Sequence, residues 1–161
     1  MALQAKTSSR RWLSAFCLLA GLMALASSAS LAQKRGGGDD ETPVFREYRG
    51  VQIGMSTEEA RKKLGNPKAK GDEEDFYSFN DRENATVVYD KTHKVSVLSV
   101  DFMAGAEGIP TAKTVMGSDI EAKSDGSMYR MIRYTKAGFW VSYSRTAGDS
   151  PMVSITIQKI E

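Results

Sequence analysis

Covalent chemistry needs a nucleophile with a positioned base, a pair of tuned acids, or a set of metal ligands. This chain of 161 residues is poor in all of them. Its one histidine, His93, sits in the polar stretch Asp90-Lys91-Thr92-His93-Lys94. A base serving a hydroxyl must be sheltered and oriented by a third group, and a turn flanked by lysines reads as exposed. Gly148-Asp149-Ser150 sets a serine beside a carboxylate, but Pro151 follows and no histidine lies downstream, so it reads as a turn. The acidic run Asp72-Glu73-Glu74-Asp75 lacks the alternating ligands and the glycine that fold a calcium loop, and reads as a solvated loop. Asn84-Ala85-Thr86 matches a glycosylation acceptor only formally. The residues therefore supply no catalytic group, no cofactor-binding motif and no metal site, and the chain reads as a non-enzyme.

Residues 1–32 read as a secretory signal. Lys6, Arg10 and Arg11 precede an apolar run from Trp12 to about Leu25, and small residues lead to Ala32, after which cleavage is expected. The alternative, a retained anchor, asks for about 20 apolar residues, and this run is shorter. The only cysteine, Cys17, lies inside it, so the mature chain has no thiol for a disulfide or a metal. Removing the segment leaves 19 basic against 20 acidic residues, a net charge of −1, so the overall basic character belongs to the signal. Without a basic excess there is no electrostatic basis for nucleic-acid binding. Residues 33–44, rich in glycine and acids, read as a flexible tether. Residues 45–161 suffice for one core.

Within 45–161 the expected class is α+β. It takes the form of two tandem units, each a short helix plus three antiparallel strands, about 48–103 and 106–161. The helices pack on one face of the sheet and the opposite face is open. In the first unit Ser56 is placed to cap a helix and Glu59 to close a capping box, with Ala60 and Leu64 inward, Arg61, Lys62 and Lys63 largely outward, and Gly65 and Pro67 as the stop. Strands follow at Phe76–Phe79, Ala85–Tyr89 and Val95–Phe102. In the second unit Pro110 to Met116 supply the helix, and Tyr129–Thr135, Phe139–Ser144 and Val153–Ile160 the strands. Gly54 matches Gly108, Val87-Val88-Tyr89 matches Val141-Ser142-Tyr143, and Val95-Ser96-Val97 matches Val153-Ser154-Ile155. Duplication explains this register; chance likeness between β-rich segments is the competing account.

Gly54-Met55-Ser56 before a short helix, Leu64-Gly65-Asn66-Pro67 after it, and a hairpin containing Val87-Val88-Tyr89-Asp90 resemble the SmpA/OmlA (BamE-like) outer-membrane protein family. A tandem pair of such units resembles the β-lactamase-inhibitory-protein (BLIP-like) fold. The resemblance implies that fold and an exported setting, periplasmic or extracellular, associated with the outer membrane. Gln33 does not offer the cysteine through which such proteins are lipid-anchored, so membrane contact is expected only indirectly.

Strand alternation gives the positive functional expectation. One face of the second unit reads Ile132, Tyr134, Phe139, Val141, Tyr143, Val153, Ile155 and Ile157, which must pack under the helices. The other reads Tyr129, Arg133, Thr135, Trp140, Ser142, Ser144, Thr156 and Gln158. Tyr, Trp and Arg anchors on a wettable sheet suit a protein-binding surface, so Tyr129, Arg133 and Trp140 form the candidate face. The alternative is that Trp140 and Tyr129 pack locally. The expected function is a non-enzymatic interaction module whose partner is another envelope or secreted protein. An inhibitor of a secreted or periplasmic hydrolase stands as the alternative, followed by an enzyme or a peptidoglycan or lipid binder.

Overall fold

The computed structural model describes residues 42–161, all within the compact unit Arg35–Glu161. The expected signal segment, its expected cleavage site and most of the expected tether lie outside the described residues. The described part begins with a two-stranded ribbon, β1 (Glu47–Tyr48) and β2 (Val51–Gln52), followed by helix α1 (Thr57–Leu64). Next come β3 (Ala69–Lys70), β4 (Glu74–Asn80), β5 (Glu83–Tyr89) and β6 (Val95–Phe102). A one-turn helix α2 (Ala112–Met116) leads to β7 (Met128–Tyr134), β8 (Phe139–Arg145) and β9 (Val153–Lys159).

The expected α+β pair of tandem units is not what forms. The protein is mostly β: the large sheet is continuous and seven-stranded, in the order β3-β4-β5-β6-β9-β8-β7. Its neighbouring strands are antiparallel throughout. The physical reason is the β6–β9 ladder, which runs from Val97 opposite Gln158 to Phe102 opposite Val153. That ladder joins the two strand groups through backbone hydrogen bonds and shared side-chain packing, so neither group closes a core alone. Helix is also scarcer than expected. Among the described residues only α1 has more than two turns, and α2 has five residues. Segments this short are held by tertiary packing, since nucleating a helix costs more than a few bonds return.

Local chemistry explains where α1 starts. Ser56 is extended (φ −67°, ψ 158°); its Oγ accepts from the Glu59 N–H at 3.3 Å, while a Glu59 carboxylate oxygen accepts from the Ser56 N–H at 3.0 Å. The reciprocal pair satisfies two donors that a helix start otherwise leaves open. At α2 Thr111 Oγ1 accepts from the Thr114 N–H at 3.2 Å. Gly117 then ends the turn in the left-handed region at φ +74°, where a side chain would be strained.

The six long strands fall where alternation places them, apart from their ends: Thr135 leaves the sheet and opens a 3-10 turn, Thr135–Ala137, and Ile160 lies beyond β9, while the short strands β1, β2 and β3 were not expected. One face of the sheet is the core side. Tyr77, Ala85, Val87, Leu98, Val100, Ile155, Ile157, Val141 and Ile132 are at most 1% exposed there. Val51 from the ribbon, Ala60 from α1 and Val115 and Met116 from α2 close that core. The other face carries no helix among the described residues.

Candidate functional site

Strand register determines which side chains share the uncovered face, and three rows cross six strands. The first reads Glu74, Val88, Val97, Gln158, Trp140, Arg133; the second Phe76, Thr86, Ser99, Thr156, Ser142, Met131; the third Ser78, Asn84, Asp101, Ser154, Ser144, Tyr129. An irregularity between Val88 and Tyr89 keeps Val97 opposite Val88 while returning Tyr89 to the core side. Tyr129, Arg133 and Trp140 therefore lie on one face. Arg133 is directly opposite Trp140, a separation at which side chains touch. Tyr129 is four residues earlier in β7, opposite Ser144.

The middle of this face is polar and internally bonded. Ser99 and Thr156 hydroxyls share a hydrogen bond of 3.0 Å, and Ser154 Oγ donates to an Asp101 carboxylate oxygen. Its ends carry exposed apolar side chains beside Glu74 and Arg133. Phe76 is 39% exposed, and at the far end Met131 is 42% and Tyr129 58% exposed. Trp140, Val88 and Val97 are half-buried, each partly shielded by its row neighbours. The alternation that singled out Tyr129, Arg133 and Trp140 applies equally to β4–β6, where it would have added Phe76, Val88 and Val97.

The polar groups first considered for chemistry resolve differently. His93 is exposed, as its turn suggested, and sits at φ +57°. Its backbone carbonyl accepts from both the N–H and the Oγ1 of Thr57 at 3.1 Å, so its position serves the entry to α1. Gly148, Asp149 and Ser150 are exposed between β8 and β9. The acidic run is not a solvated loop throughout: Asp75 lies in β4 with no exposure. Among the described residues, no group of three or more His, Cys, Asp or Glu side chains is placed to hold a metal ion.

Asp75 is the centre of a buried network. Arg61 reaches it bidentately, Nε at 2.7 Å and Nη2 at 2.9 Å, so Arg61 faces inward rather than to solvent as its charge suggested. Tyr89 donates at 2.7 Å, Tyr77 at 3.3 Å and the Gly71 N–H at 3.2 Å. Burial alone would raise the Asp75 pKa, but the donors from Arg61, Tyr89 and Gly71 outweigh it and hold the carboxyl below its ordinary value. Burial and the adjacent carboxylate push Tyr77 up to about 12 and Tyr89 further still. Both carboxylate oxygens are fully engaged and Asp75 meets no solvent, so the network ties α1 to β4 and β5 and is not a reactive site.

A second cluster anchors the ribbon. Arg49 Nη2 pairs with Glu83 at 2.8 Å, its guanidinium lies 4.0 Å from the Phe79 ring centroid, and Tyr48 donates to the same Glu83 carboxylate. Burial and that carboxylate push Tyr48 up to about 12. Here too donors and acceptors are matched. Compared with known proteins, the chain matches no protein-family model, no curated protein and no solved structure.

Proposed function

We propose that the chain is a non-enzymatic interaction module that holds another envelope or secreted protein against the open face of its sheet. The observation carrying this reading is the pattern of that face, where exposed Phe76, Met131 and Tyr129 and the Trp140–Arg133 pair surround a hydroxyl-lined centre. Water-facing sheets usually alternate to polar residues on the solvated side. Tyr, Trp, Met and Arg are the types enriched in interface anchors.

Size limits the interaction. Six strands at about 4.8 Å and four residue steps at about 3.4 Å give roughly 24 Å by 14 Å between backbone positions. With side chains that footprint stays below the about 800 Å² that each partner contributes to a standard interface. The partner therefore overruns an edge of the sheet or binds transiently.

The test is site-specific photocrosslinking in the native envelope from position 140, with Lys113 on α2 as the control position. A protein captured from 140 and not from 113 is then purified and its affinity measured. Trp140→Ala should weaken it at least about tenfold, as truncating an interface anchor does, with the unfolding midpoint nearly unchanged. Equal capture from both positions, or unaltered affinity of a folded Trp140→Ala variant, would refute the reading.

A further inference from the structure

A cavity of about 580 Å³ opens on the helix side of the sheet, between the β6–α2 connection and the β8–β9 connection. Ile109, Ile120, Met128 and Val153 supply apolar lining, and Tyr143 and Arg145 of β8 also line it. Two features set it apart from the matched clusters described above. The Arg145 guanidinium makes no hydrogen bond or ion pair with any described residue, although it is half-buried. Tyr143 is 4% exposed, and its hydroxyl likewise has no hydrogen-bond partner among the described residues. Among the described residues no buried side-chain nitrogen or oxygen lacks a partner, so both groups open to solvent in the groove, where one ligand group can accept from both. The two are close enough that Arg145 counteracts the upward pull of burial on the Tyr143 pKa.

We propose that this groove binds a small aliphatic monocarboxylate, its carboxylate on the Arg145 guanidinium and the Tyr143 hydroxyl and its alkyl chain along Ile109, Ile120, Met128 and Val153. A planar guanidinium suits a carboxylate, and charge-assisted bonds are the stronger ones. The volume lies within the about 300–1,000 Å³ of small-ligand pockets, which pair apolar walls with a few polar groups. Asp119 and Asp149 also line the groove and are exposed at its rim. They repel every negative charge a ligand brings, so a dianion meets the larger penalty and a monoanion is favoured over a phosphate monoester. The proposal is independent of the open-face reading, since Tyr143 and Arg145 project from the opposite side of β8.

The test is a chemical-shift titration of the isotope-labelled full chain with octanoate, octan-1-ol and octyl phosphate. Octanoate should bind at least about tenfold more tightly than either of the others, with shifts centred on residues 109–120 and 143–153. Arg145→Gln should abolish the preference for octanoate over octan-1-ol. Tyr143→Phe should weaken octanoate about tenfold, the size expected for a hydrogen bond to a charged group. Equal binding of octanoate and octan-1-ol to the unmodified chain would overturn the proposal whether or not the variants fold. So would shifts centred on Trp140, or binding of a leucine-ending tetrapeptide where octanoate fails.

Discussion

Replacing Asp75 with asparagine tests the buried network in the detail the structure permits. Five donors converge on the carboxylate. Arg61 Nη2 and the Gly71 N–H point at one oxygen, and Arg61 Nε, Tyr77 and Tyr89 at the other. Asparagine keeps the shape but turns one acceptor into a donor. If its amide nitrogen takes the first position, it confronts two N–H groups that cannot reverse. In the second position the tyrosine hydroxyls can rotate to accept, and only Arg61 Nε is left facing a donor. The second arrangement is the cheaper. It still leaves one unsatisfied donor, at about 1–3 kcal/mol, together with a guanidinium that has lost its counter-charge. Breaking a buried pair by removing one partner costs about 3–5 kcal/mol. Arg61 is 24% exposed at its side chain, so partial hydration favours the lower end, about 3 kcal/mol.

In a domain of this size that is roughly 12 °C in Tm, taking about 4 °C per kcal/mol. Urea unfolding of both proteins checks it directly, with Asp72→Asn, an exposed neighbour, expected within about 0.5 kcal/mol of the unmodified chain. The pH dependence carries an independent sign. The folded-state pKa of Asp75 is held below its ordinary 3.8, so its stabilisation is present above that value and lost as pH falls through the folded pKa. The difference between the two proteins should therefore be full at pH 7 and close in strong acid. A loss under about 1 kcal/mol at pH 7, or a difference unchanged from pH 7 to pH 2, would show that the network does not act as described.

Two shorter predictions bear on the fold. Ser56→Ala removes one half of the capping box and should destabilise by about 1 kcal/mol, read as a urea midpoint shift; an unchanged midpoint would mean that packing alone positions α1. Residues 45–103 and 106–161 expressed separately should each lack a cooperative unfolding transition, because Leu98, Val100 and Phe102 would be parted from Ile157, Ile155 and Val153 across the seam. Independent folding of either would restore the two-unit organisation.

Much of this fold was legible because it is written locally. Ser56, Glu59 and Gly65 mark the helix by groups that act within a turn, and period-two alternation locates the long strands. The β6–β9 seam is not local. Nothing in Val95–Phe102 or Val153–Lys159 specifies the other as its neighbour, and internal similarity between the halves favours reading them as separate units. The buried network was missed for a different reason: charge was allowed to outweigh position. Thr57, Ala60, Arg61 and Leu64 follow the spacing of one helical stripe, which turns Arg61 inward. Alternation likewise sets Asp75 on the same face as Tyr77. Each was readable as half of a pair, but only the fold brings 61 and 75 together.

The open face was legible in part for the same reason that it is functionally interesting. Charged Glu74 and Arg133 stand at the two ends of the first row, where charges discourage stray pairing. Here the hydroxyls occupy the centre, at Thr86, Ser99, Thr156 and Ser142, while Phe76 and Met131 stand at the two ends of the same row. The exposed apolar side chains are thus displaced toward both flanks, with about five strand spacings of roughly 4.8 Å between them. A partner reading that pattern touches two separated apolar points across a wettable middle, where bridging waters can satisfy hydroxyls at little enthalpic cost. Such a contact divides its binding energy between two ends. Trp140 and Arg133 belong to the β7–β8 end and Phe76 to the other, so truncations at opposite ends should combine additively, as independent sites do.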